Sequence, residues 1–363
     1  MPIKEESFRI GCGRYLQGAG VLQKCGEEVM RLGHAPLIVG GKTALSLTRE
    51  QIISSVSAVC LSYHIEEYCG TCNDGNAKAM AELALNRGLD VIVGVGGGVI
   101  MDFAKLIGHF ADLPVINIPT SSATCAAYTP LSVRYTAEGR TVGSLHYEKE
   151  VDAVLVDISV MVKQPPRLLL AGMFDAIAKF VEIKHRFTED ITEYPLGLDW
   201  AYAISEHSYK ELFKKTEPCL EDMQKGIISN TVEQVVFTLI AATGVISGIA
   251  RGSNQTALAH KFYETTRTLF YKGSRSYLHG EIVGIGLLLQ NKFNGEDESN
   301  RELLGLMKKY SMPCCLSDIG VEPTGEALEE YYKILRNTSA ITESGPDADI
   351  KLQEALKYLW DLG

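Results

Sequence analysis

The stretch Val91-Ile-Val-Gly-Val-Gly-Gly-Gly-Val-Ile-Met-Asp-Phe-Ala-Lys105 contains a strand, a glycine turn and the start of a helix, in that order. The β-branched run at 91–95 predicts a strand buried on both faces, and it ends in Gly96, Gly97 and Gly98. Glycines at this place let the backbone approach a ligand, and N–H groups of the first helical turn would then point at an anion such as a pyrophosphate. The pattern is neither a P-loop nor a G-x-G-x-x-G fingerprint. A tight strand-to-helix turn with nothing bound explains the glycines equally well.

The bulk composition is that of an ordinary globular protein large enough for two domains. The chain has 363 residues, of which 46% are hydrophobic and 22% are charged, and its formal net charge is −10. That charge argues against nucleic acid or an anionic membrane surface as the main partner. The N-terminal stretch 1–6 has no apolar signal core, and no uninterrupted apolar run is long enough to span a membrane. We therefore expect a cytoplasmic protein whose nine cysteines are reduced thiols.

Strand and helix patterns alternate through the first part of the chain. The predicted strands cover 35–40, 91–95, 115–119 and 153–157. A helix is predicted over 76–88, and the stretch from Tyr135 to Val142 has the pattern of a hairpin. This alternation predicts a parallel sheet that binds its ligands at the carboxyl ends of the strands.

After Gln164-Pro165-Pro166 the pattern changes to helices with few strand-like runs between them. Helical spacing is found at 168–184, 232–249, 281–291 and 301–310. The two prolines mark a domain boundary, so we predict an α/β domain over 1–164 and a helical domain over 165–363. Within the second domain, the charged residues 297–301 predict a solvated loop.

Three side chains in the helical half could bind a metal ion. Asp175 interrupts an otherwise apolar helix, where an unpaired carboxylate is costly to bury. His260 lies among small apolar residues, and His279 begins an apolar helical stretch. One carboxylate and two imidazoles suit Zn²⁺ or Fe²⁺ with an open position for a substrate oxygen. Spacing alone favours an Asp that caps a helix and two hydrogen-bonded core histidines, because 19 residues between histidines match no short zinc motif.

A hydroxyl-rich loop, 119–135, follows the strand at 115–119. It is expected at the same sheet edge as the glycine turn, where its hydroxyl and N–H groups could hold phosphate and ribose. Leu131 and Val133 could form an apolar wall for a flat ring. By itself, the stretch is also a polar loop that need not bind anything.

Taken together, these stretches resemble the iron-containing alcohol dehydrogenase superfamily, on its glycerol dehydrogenase branch, over nearly the whole chain. The matching motifs occur in the family's order, at 96–98 with Asp102 and Lys105, 119–135, 154–157, 171–175, 257–260 and 279–281. The resemblance implies the dehydroquinate synthase-like fold, with a dinucleotide-binding α/β domain built on a parallel sheet and an all-α metal-binding domain. We also expect a homo-oligomer that acts on a small-molecule substrate.

The resemblance assigns roles to individual residues. Asp175, His260 and His279 become the metal ligands and catalytic residues, which reverses the preference drawn from spacing. The residues implied at the pyrophosphate are Gly97, Gly98 and Asp102. Those implied around the ribose and nicotinamide are Thr120, Thr129, Leu131, Val133 and Tyr135. Lys179 stands where longer alcohol dehydrogenases have a His as fourth ligand; a charged Lys cannot be a ligand, so three protein ligands plus substrate are expected.

Cys125 is one departure from the glycerol dehydrogenase pattern, which has an Asp at this loop position. Loss of the carboxylate removes an acceptor for a polyol and also removes a charge that would repel an acid. The stretch from Thr124 to Leu131 resembles the hydroxycarboxylate dehydrogenase members of the branch, which reduce small 2-oxo acids. Cys125 is therefore expected beside the substrate.

Gly41 is the second departure. NAD-preferring relatives have an Asp here that binds the adenosine ribose hydroxyls and excludes a 2′-phosphate. Gly41 beside Lys42 leaves room and a cation, so NADP(H) should be accepted as well as NAD(H).

The implied activity is reversible hydride transfer between NAD(P)(H) and a small alcohol or carbonyl, and a 2-hydroxy or 2-oxo acid is the preferred substrate. One Zn²⁺ or Fe²⁺ ion would polarise the carbonyl. Glycerol or another vicinal diol is the alternative substrate. A dehydroquinate synthase-like lyase, which gives no net change in NADH, and a nucleotide-binding protein without catalysis are the further alternatives.

Overall fold

The computed structural model describes residues 8, 10–60, 62–137, 139–186, 196–250 and 252–362. The N-terminal stretch 1–6, on which the expected cytoplasmic location partly rests, lies outside these residues. Contacts divide the chain into two compact units. The sheet unit comprises the described residues of Arg9–Leu169 and Glu211–Gly248, and the helical unit comprises those of Met1–Phe8, Leu170–Lys210 and Ile249–Gly363. A segment distant in sequence thus joins the sheet unit, and the boundary between 164 and 165 stays a prediction.

The sheet unit is built on parallel strands. The strands are β1 (Tyr15–Gly18), β2 (Pro36–Gly40), β3 (His64–Glu67), β4 (Val91–Gly96), β5 (Val115–Pro119), β6 (Leu131–Tyr135), β7 (Thr141–His146) and β8 (Ala153–Asp157). Six of them form one parallel sheet in the order β1-β8-β5-β4-β2-β3. The remaining two, β6 and β7, pair as an antiparallel hairpin. The four predicted strands and the predicted hairpin are confirmed.

Helices cover both faces of this sheet. They are α1 (Cys25–Leu32), α2 (Lys42–Ser57), α3 (Asp74–Asn86), α4 (Gly98–Ala111) and α5 (Ile158–Met161). Alternate residues of a strand face opposite sides. Val91, Val93 and Val95 of β4 share a core cluster with residues of α1 and α2. Gly94 faces the other side, against Ala104 of α4. Burial on both faces explains the continuous β-branched runs of the central strands.

From α6 onward the described chain is helical. The helices are α6 (Pro166–Arg186), α7 (Leu198–Gln224), α8 (Asn230–Phe237), α9 (Thr243–Ala250), α10 (Leu258–Leu269), α11 (Tyr271–Ser274), α12 (His279–Phe293), α13 (Asp297–Lys309), α14 (Gly325–Leu335), α15 (Ser339–Thr342) and α16 (Ala348–Asp361). Within the helical unit, α12 is central, because it packs against α10, α13 and α16 and nearly all of its residues are buried.

One helical stretch among the described residues, Asn230–Ala250, is long and apolar enough by length and composition to cross a membrane. It comprises α8, a π-helical turn at Thr238–Ala242, and α9. Of its most apolar window, 56% is buried inside the structure. Core helices of globular proteins have the same character.

The solvated loop predicted at 297–301 is wrong, because these residues begin α13. Asp297 and Glu298 lie in the first turn, where acidic side chains interact favourably with the helix dipole. Asn300 is buried, and its side-chain amide donates to the Leu288 carbonyl over 2.9 Å. The acidic residues of this charged stretch are typical of a helix start.

Candidate active site

Some of the predicted cofactor residues of the sheet unit follow the carboxyl ends of three adjacent strands, β2, β4 and β5. The chain leaves these strands through Gly41, Gly97 and Thr120. The Gly41 N–H donates to the Val95 carbonyl over 3.3 Å, and the Thr120 N–H donates to the Gly96 carbonyl over 2.9 Å. The strand order reverses between β2 and β4. In open parallel sheets, ligands bind in the crevice at such a reversal.

The glycine turn leads directly into α4. Gly97 is the N-cap residue and Gly98 is the first residue of this 14-residue helix. Among the described residues, no side chain caps its first turn. The first N–H groups of a helix have no partner within the helix, so this end of α4 suits an anion.

Lys105 fastens the hydroxyl-rich loop to α4. Its buried ammonium donates to the carbonyl oxygens of Ala126 and Thr129, over 2.7 and 2.9 Å, and to that of Leu131. It also forms an ion pair with Asp102 Oδ1 at 2.9 Å. One charged group thus holds the loop and the start of β6 against a single helix. The sequence motif contains Lys105, but its role could not be derived from the sequence.

Asp102 is engaged with the same hairpin. Its Oδ2 accepts the Val133 N–H over 3.1 Å, and its carbonyl accepts the Ser132 hydroxyl over 2.7 Å. Burial raises the pKa of Asp102 against the opposing charge of Lys105. The structure therefore gives Asp102 a part in holding β6, and its contact with a pyrophosphate stays a prediction.

The other predicted residues of this unit lie on the loop and on β6. Leu131, Val133 and Tyr135 are partly buried and share the face of β6 opposite to a buried serine. Thr129 is buried. Cys125 is partly buried, and its carbonyl accepts the N–H groups of the residues three and four positions later, which gives the loop a helical turn. These positions agree with a ring-binding wall, and the contacts with cofactor and substrate stay predictions.

The three predicted metal ligands come together within the helical unit. Asp175 lies on α6, His260 on α10 and His279 on α12, and one ligand atom from each lies within 4.8 Å of the others. The Nε2 atoms of His260 and His279 are 3.3 and 3.5 Å from Asp175 Oδ1. Asp175 is in the interior of α6, so it does not cap that helix. A carboxylate oxygen and two imidazole nitrogens at this spacing fit Zn²⁺ or Fe²⁺, with coordination positions left open.

Two glycines of α12 allow this convergence. A Cβ on Gly280 would lie 1.8 Å from the Ala171 carbonyl oxygen of α6, and one on Gly286 would lie 2.5 Å from the Ala259 carbonyl oxygen. Any side chain at either position would push α12 away from its neighbour. The close approach brings His279 to the carboxylate of α6.

Glu182 holds His260 in place. It lies two helical turns after Asp175 on the same face of α6, and it is buried. Its Oε2 accepts the Nδ1–H of His260. Its Oε1 accepts the backbone N–H groups of Ala257 and His260, over 2.6 and 2.9 Å, and so caps the first turn of α10. In the neutral imidazole with its proton on Nδ1, His260 would present the Nε2 lone pair to a bound metal ion.

His279 is positioned by its own helix start and by an aromatic ring. Glu281 Oε2 accepts the Leu278 N–H over 2.7 Å, so the acidic residue of the His-Gly-Glu motif caps α12. The Tyr263 ring packs edge-on against the imidazole, with 4.2 Å between centroids. Sequence reasoning missed Glu182 and Tyr263, although the seven-residue spacing of Glu182 from Asp175 indicated a shared helix face.

Electrostatics keep both carboxylates of this cluster ionised. Burial acts to raise the pKa of Asp175, but the charge of His279 and hydrogen bonds from both histidines hold it well below its ordinary value. Burial likewise opposes the ionised form of Glu182, and His260 nevertheless lowers its pKa. Burial lowers the pKa of His279. Burial also acts to lower the pKa of His260, but the negative charge of Glu182 outweighs this effect and raises it. Ionised carboxylates are a condition for binding a cation.

Comparison with known proteins gives one family. The family model named iron-containing alcohol dehydrogenase matches residues 12–158. Hydroxycarboxylate dehydrogenase A of Escherichia coli is 32% identical over 283 residues, which cover 76% of this chain and 74% of the relative. Glycerol dehydrogenase of Citrobacter freundii is 29% identical over 312 residues, which cover 85% of this chain and 84% of the relative.

The fold is also found in a solved structure. The crystal structure of glycerol dehydrogenase from Schizosaccharomyces pombe matches 99% of this chain and 91% of its own chain, with a TM-score of 0.83 and 23% identity. The predicted fold class, a parallel-sheet α/β domain with a helical domain, is confirmed.

Replacing Glu182 should weaken metal binding. In Glu182→Gln, the amide can still accept backbone N–H groups, but its NH₂ cannot accept the Nδ1–H of His260. We expect Zn²⁺ affinity to fall by about 10- to 100-fold, as is typical when the partner of a metal-binding His is lost. Competition with a chromophoric chelator measures the affinity. The exposed Glu264 of α10 provides the control Glu264→Gln, and equal affinities in the two variants would contradict the role given to Glu182.

Proposed function

The chain belongs to the iron-containing alcohol dehydrogenase family, and we propose that it catalyses reversible hydride transfer between NAD(P)(H) and a small alcohol or carbonyl. In reduction, hydride leaves C4 of the nicotinamide for the carbonyl carbon, and a proton is added to the oxygen. The observation that carries the proposal is the cluster of Asp175, His260 and His279, whose ligand atoms lie within 4.8 Å of one another.

These three side chains would hold one Zn²⁺ or Fe²⁺ ion. When bound, such an ion supplies Lewis-acid polarisation of the substrate oxygen. The chain's own residues fix the ligands: Glu182 sets the tautomer of His260, and Tyr263 packs on the ring of His279. Preorganised ligands need little rearrangement when the substrate arrives.

The cofactor would lie at the carboxyl edge of the sheet. The uncapped first turn of α4 and the glycines Gly97 and Gly98 support a pyrophosphate there. The face of β6 that carries Leu131 and Val133 supports the nicotinamide. Lys105 would keep the loop and the hairpin in position during turnover.

For the substrate we propose a small 2-hydroxy or 2-oxo acid. Cys125, in place of the Asp of glycerol dehydrogenases, leaves the loop without a charge that would repel an acid. The similarity to hydroxycarboxylate dehydrogenase A agrees with this assignment. Glycerol is the second candidate, because relatives from Citrobacter freundii, Pseudomonas putida and Thermotoga maritima are glycerol dehydrogenases.

For the cofactor we propose that NADP(H) is accepted. Gly41 is the N-cap residue of α2, with φ −71° and ψ 149°, a conformation open to any residue. A Cβ here would have only Ile100 Cγ1 within 4 Å, at 4.0 Å. This space beside the exposed Lys42 supports a 2′-phosphate.

Cytoplasmic location and homo-oligomeric assembly remain part of the proposal. All nine cysteines are free of disulfide bonds, which agrees with a reducing compartment. Net consumption of NAD(P)H would distinguish a dehydrogenase from the two alternatives, a lyase and a non-catalytic nucleotide-binding protein, because neither consumes it.

A substrate panel tests the function directly. Oxidation of NADPH and NADH is followed at 340 nm with Zn²⁺-loaded protein and 2-oxobutanoate, 2-oxoglutarate or dihydroxyacetone. We expect the highest kcat/KM with an oxo acid and NADPH, for the reasons given for Cys125 and Gly41. Preference for dihydroxyacetone with NADH would identify a glycerol dehydrogenase instead, and no oxidation with any substrate would reject the dehydrogenase assignment.

Loss of one ligand should abolish turnover. In His279→Ala, we expect turnover to fall roughly a thousandfold or more, because several kcal/mol of carbonyl polarisation would be lost. Bound metal, measured by mass spectrometry of the dialysed protein, should fall as well. His207→Ala removes an exposed histidine of α7 and serves as the control. Full activity of metal-free His279→Ala would contradict the proposed metal-dependent reaction.

A carboxylate at position 41 should change the cofactor preference. In Gly41→Asp, the new charge would repel a 2′-phosphate and bind the ribose hydroxyls of NAD. We expect the ratio of kcat/KM for NADPH to that for NADH to fall by about tenfold or more, since like charges in contact cost several kcal/mol. Gly41→Asn has nearly the same size without the charge and should change the ratio less. If Gly41→Asp left this kcat/KM ratio unchanged, the 2′-phosphate of NADPH would not bind next to residue 41.

A further inference from the structure

Two buried lysines of the chain differ in how their charge is satisfied. Lys105 is 4% exposed, and its ammonium has three carbonyl acceptors and the carboxylate of Asp102. Lys179 is 6% exposed, yet among the described residues its ammonium has no hydrogen bond and no ion pair. The side chain is buried, but its Nζ is not fully enclosed, so the ammonium is open to water or to a ligand.

Lys179 lies at the predicted metal cluster. It follows Asp175 by one turn of α6 and precedes Glu182 by one turn, so the three share one face of the helix. Its charge acts electrostatically on Asp175, His260 and His279. Lys179 is therefore near the three ligand residues, on the helix face that carries Asp175.

A second cation of the described residues, Arg267, lies near these ligands and is already engaged. Arg267 lies over the ring of Tyr263, at 5.5 Å from the centroid, and Tyr263 packs on His279. Its guanidinium donates to the carbonyls of Ser274 and Tyr277. Arg267 thus stabilises a turn of the backbone, and its donors are less available to a ligand than the ammonium of Lys179.

The charges of the cluster also favour an anionic ligand. Asp175 and Glu182 together carry two negative charges, which one divalent ion at the predicted site would balance. Lys179 then adds one positive charge, with which no carboxylate of the described residues forms an ion pair. A neutral polyol would leave this charge unpaired, whereas a monocarboxylate would neutralise it and accept hydrogen bonds from the ammonium.

We propose that Lys179 binds the carboxylate of the substrate and so selects small 2-oxo and 2-hydroxy acids over neutral polyols. The inference rests on the proposed dehydrogenase function and gives that site its substrate class. Lys179 acts here as a fixed point charge with three donors and takes no part in metal coordination. It is a specificity-determining residue. Lys179→Arg would keep the positive charge, whereas Lys179→Met would keep the approximate size and remove the charge.

Binding of oxamate, a carboxylate that is not reduced, separates this role from catalysis. Isothermal titration of Zn²⁺-loaded protein in the presence of NADH gives the Kd of oxamate for wild type, Lys179→Met and Lys179→Arg. We expect Lys179→Met to weaken binding by about 30-fold or more, and Lys179→Arg to keep most of it, because loss of one partner of a buried charge pair is severe. The matched control is Lys184→Met, on the same helix, where the lysine is 45% exposed and paired with Glu296.

Three results would overturn the proposal. They are an unchanged Kd in Lys179→Met, no oxamate binding by wild type, and loss of bound Zn²⁺ from Lys179→Met, which would make Lys179 a support for the ligands. If Lys179→Met does not fold, Lys179→Gln replaces it, since the amide keeps a donor without the charge and should also bind oxamate weakly.

The proposed function has a separate readout. Wild type that oxidises NAD(P)H with dihydroxyacetone but does not bind oxamate would remain a dehydrogenase, and Lys179 would have lost its role. Wild type that binds oxamate through Lys179 but oxidises NAD(P)H with no substrate would retain the anion site, and the dehydrogenase assignment would fail.

Discussion

The helical unit depends on one buried carboxylate, that of Asp175, in the interior of an apolar helix. Ionising an isolated carboxylate in such a place is costly, so the surrounding elements must supply positive or hydrogen-bonding groups. Two imidazoles from α10 and α12 do so, at 3.3 and 3.5 Å. They reach the carboxylate because α12 presents glycine backbone to its neighbours. Close helix packing and the need to compensate the Asp175 charge therefore both favour bringing the two imidazoles to the carboxylate. The same arrangement of one carboxylate and two imidazoles suits a divalent cation.

The sheet unit contains a buried charge of the opposite sign, the ammonium of Lys105, which is paired within the protein. Lys105 satisfies its ammonium entirely with protein acceptors and thereby fixes the loop and hairpin at the sheet edge. Full satisfaction makes this lysine a structural element, since it has no donor left for a ligand. Lys179 is similarly buried, but its ammonium has no such acceptors among the described residues. Burial of a charged side chain therefore does not by itself indicate its role.

The sequence was sufficient wherever local pattern determines the structure. The apolar run at 91–95, which is β-branched except for Gly94, predicts a strand covered on both faces, and the turn residues of 135–142 predict a hairpin. Family motifs were needed to connect Asp175, His260 and His279, because their spacing reflects three helices and no local motif. The role of Glu182 could not be predicted from the sequence. It depends on where α10 begins, at Leu258, and on how the start of α10 packs against α6. The assignment of residues 211–248 to the sheet unit is likewise a tertiary fact, because their helical pattern is the same in either unit.

Family membership indicates the reaction class, and the proposed substrate class rests on the charges of individual side chains. A hydride acceptor needs only a polarised carbonyl, which an acid and a triose provide equally. What differs is the rest of the molecule, which carries a negative charge in one case and neutral hydroxyls in the other. A site that recognises hydroxyls requires acceptors, and the loop has a thiol at Cys125 where glycerol dehydrogenases have a carboxylate. A site that recognises a carboxylate requires a cation that is open to the ligand, and this is the role proposed for Lys179. In this scheme the metal ligands would act on the carbonyl, which both substrate classes contain, and selectivity would depend on the few side chains that contact the rest of the substrate.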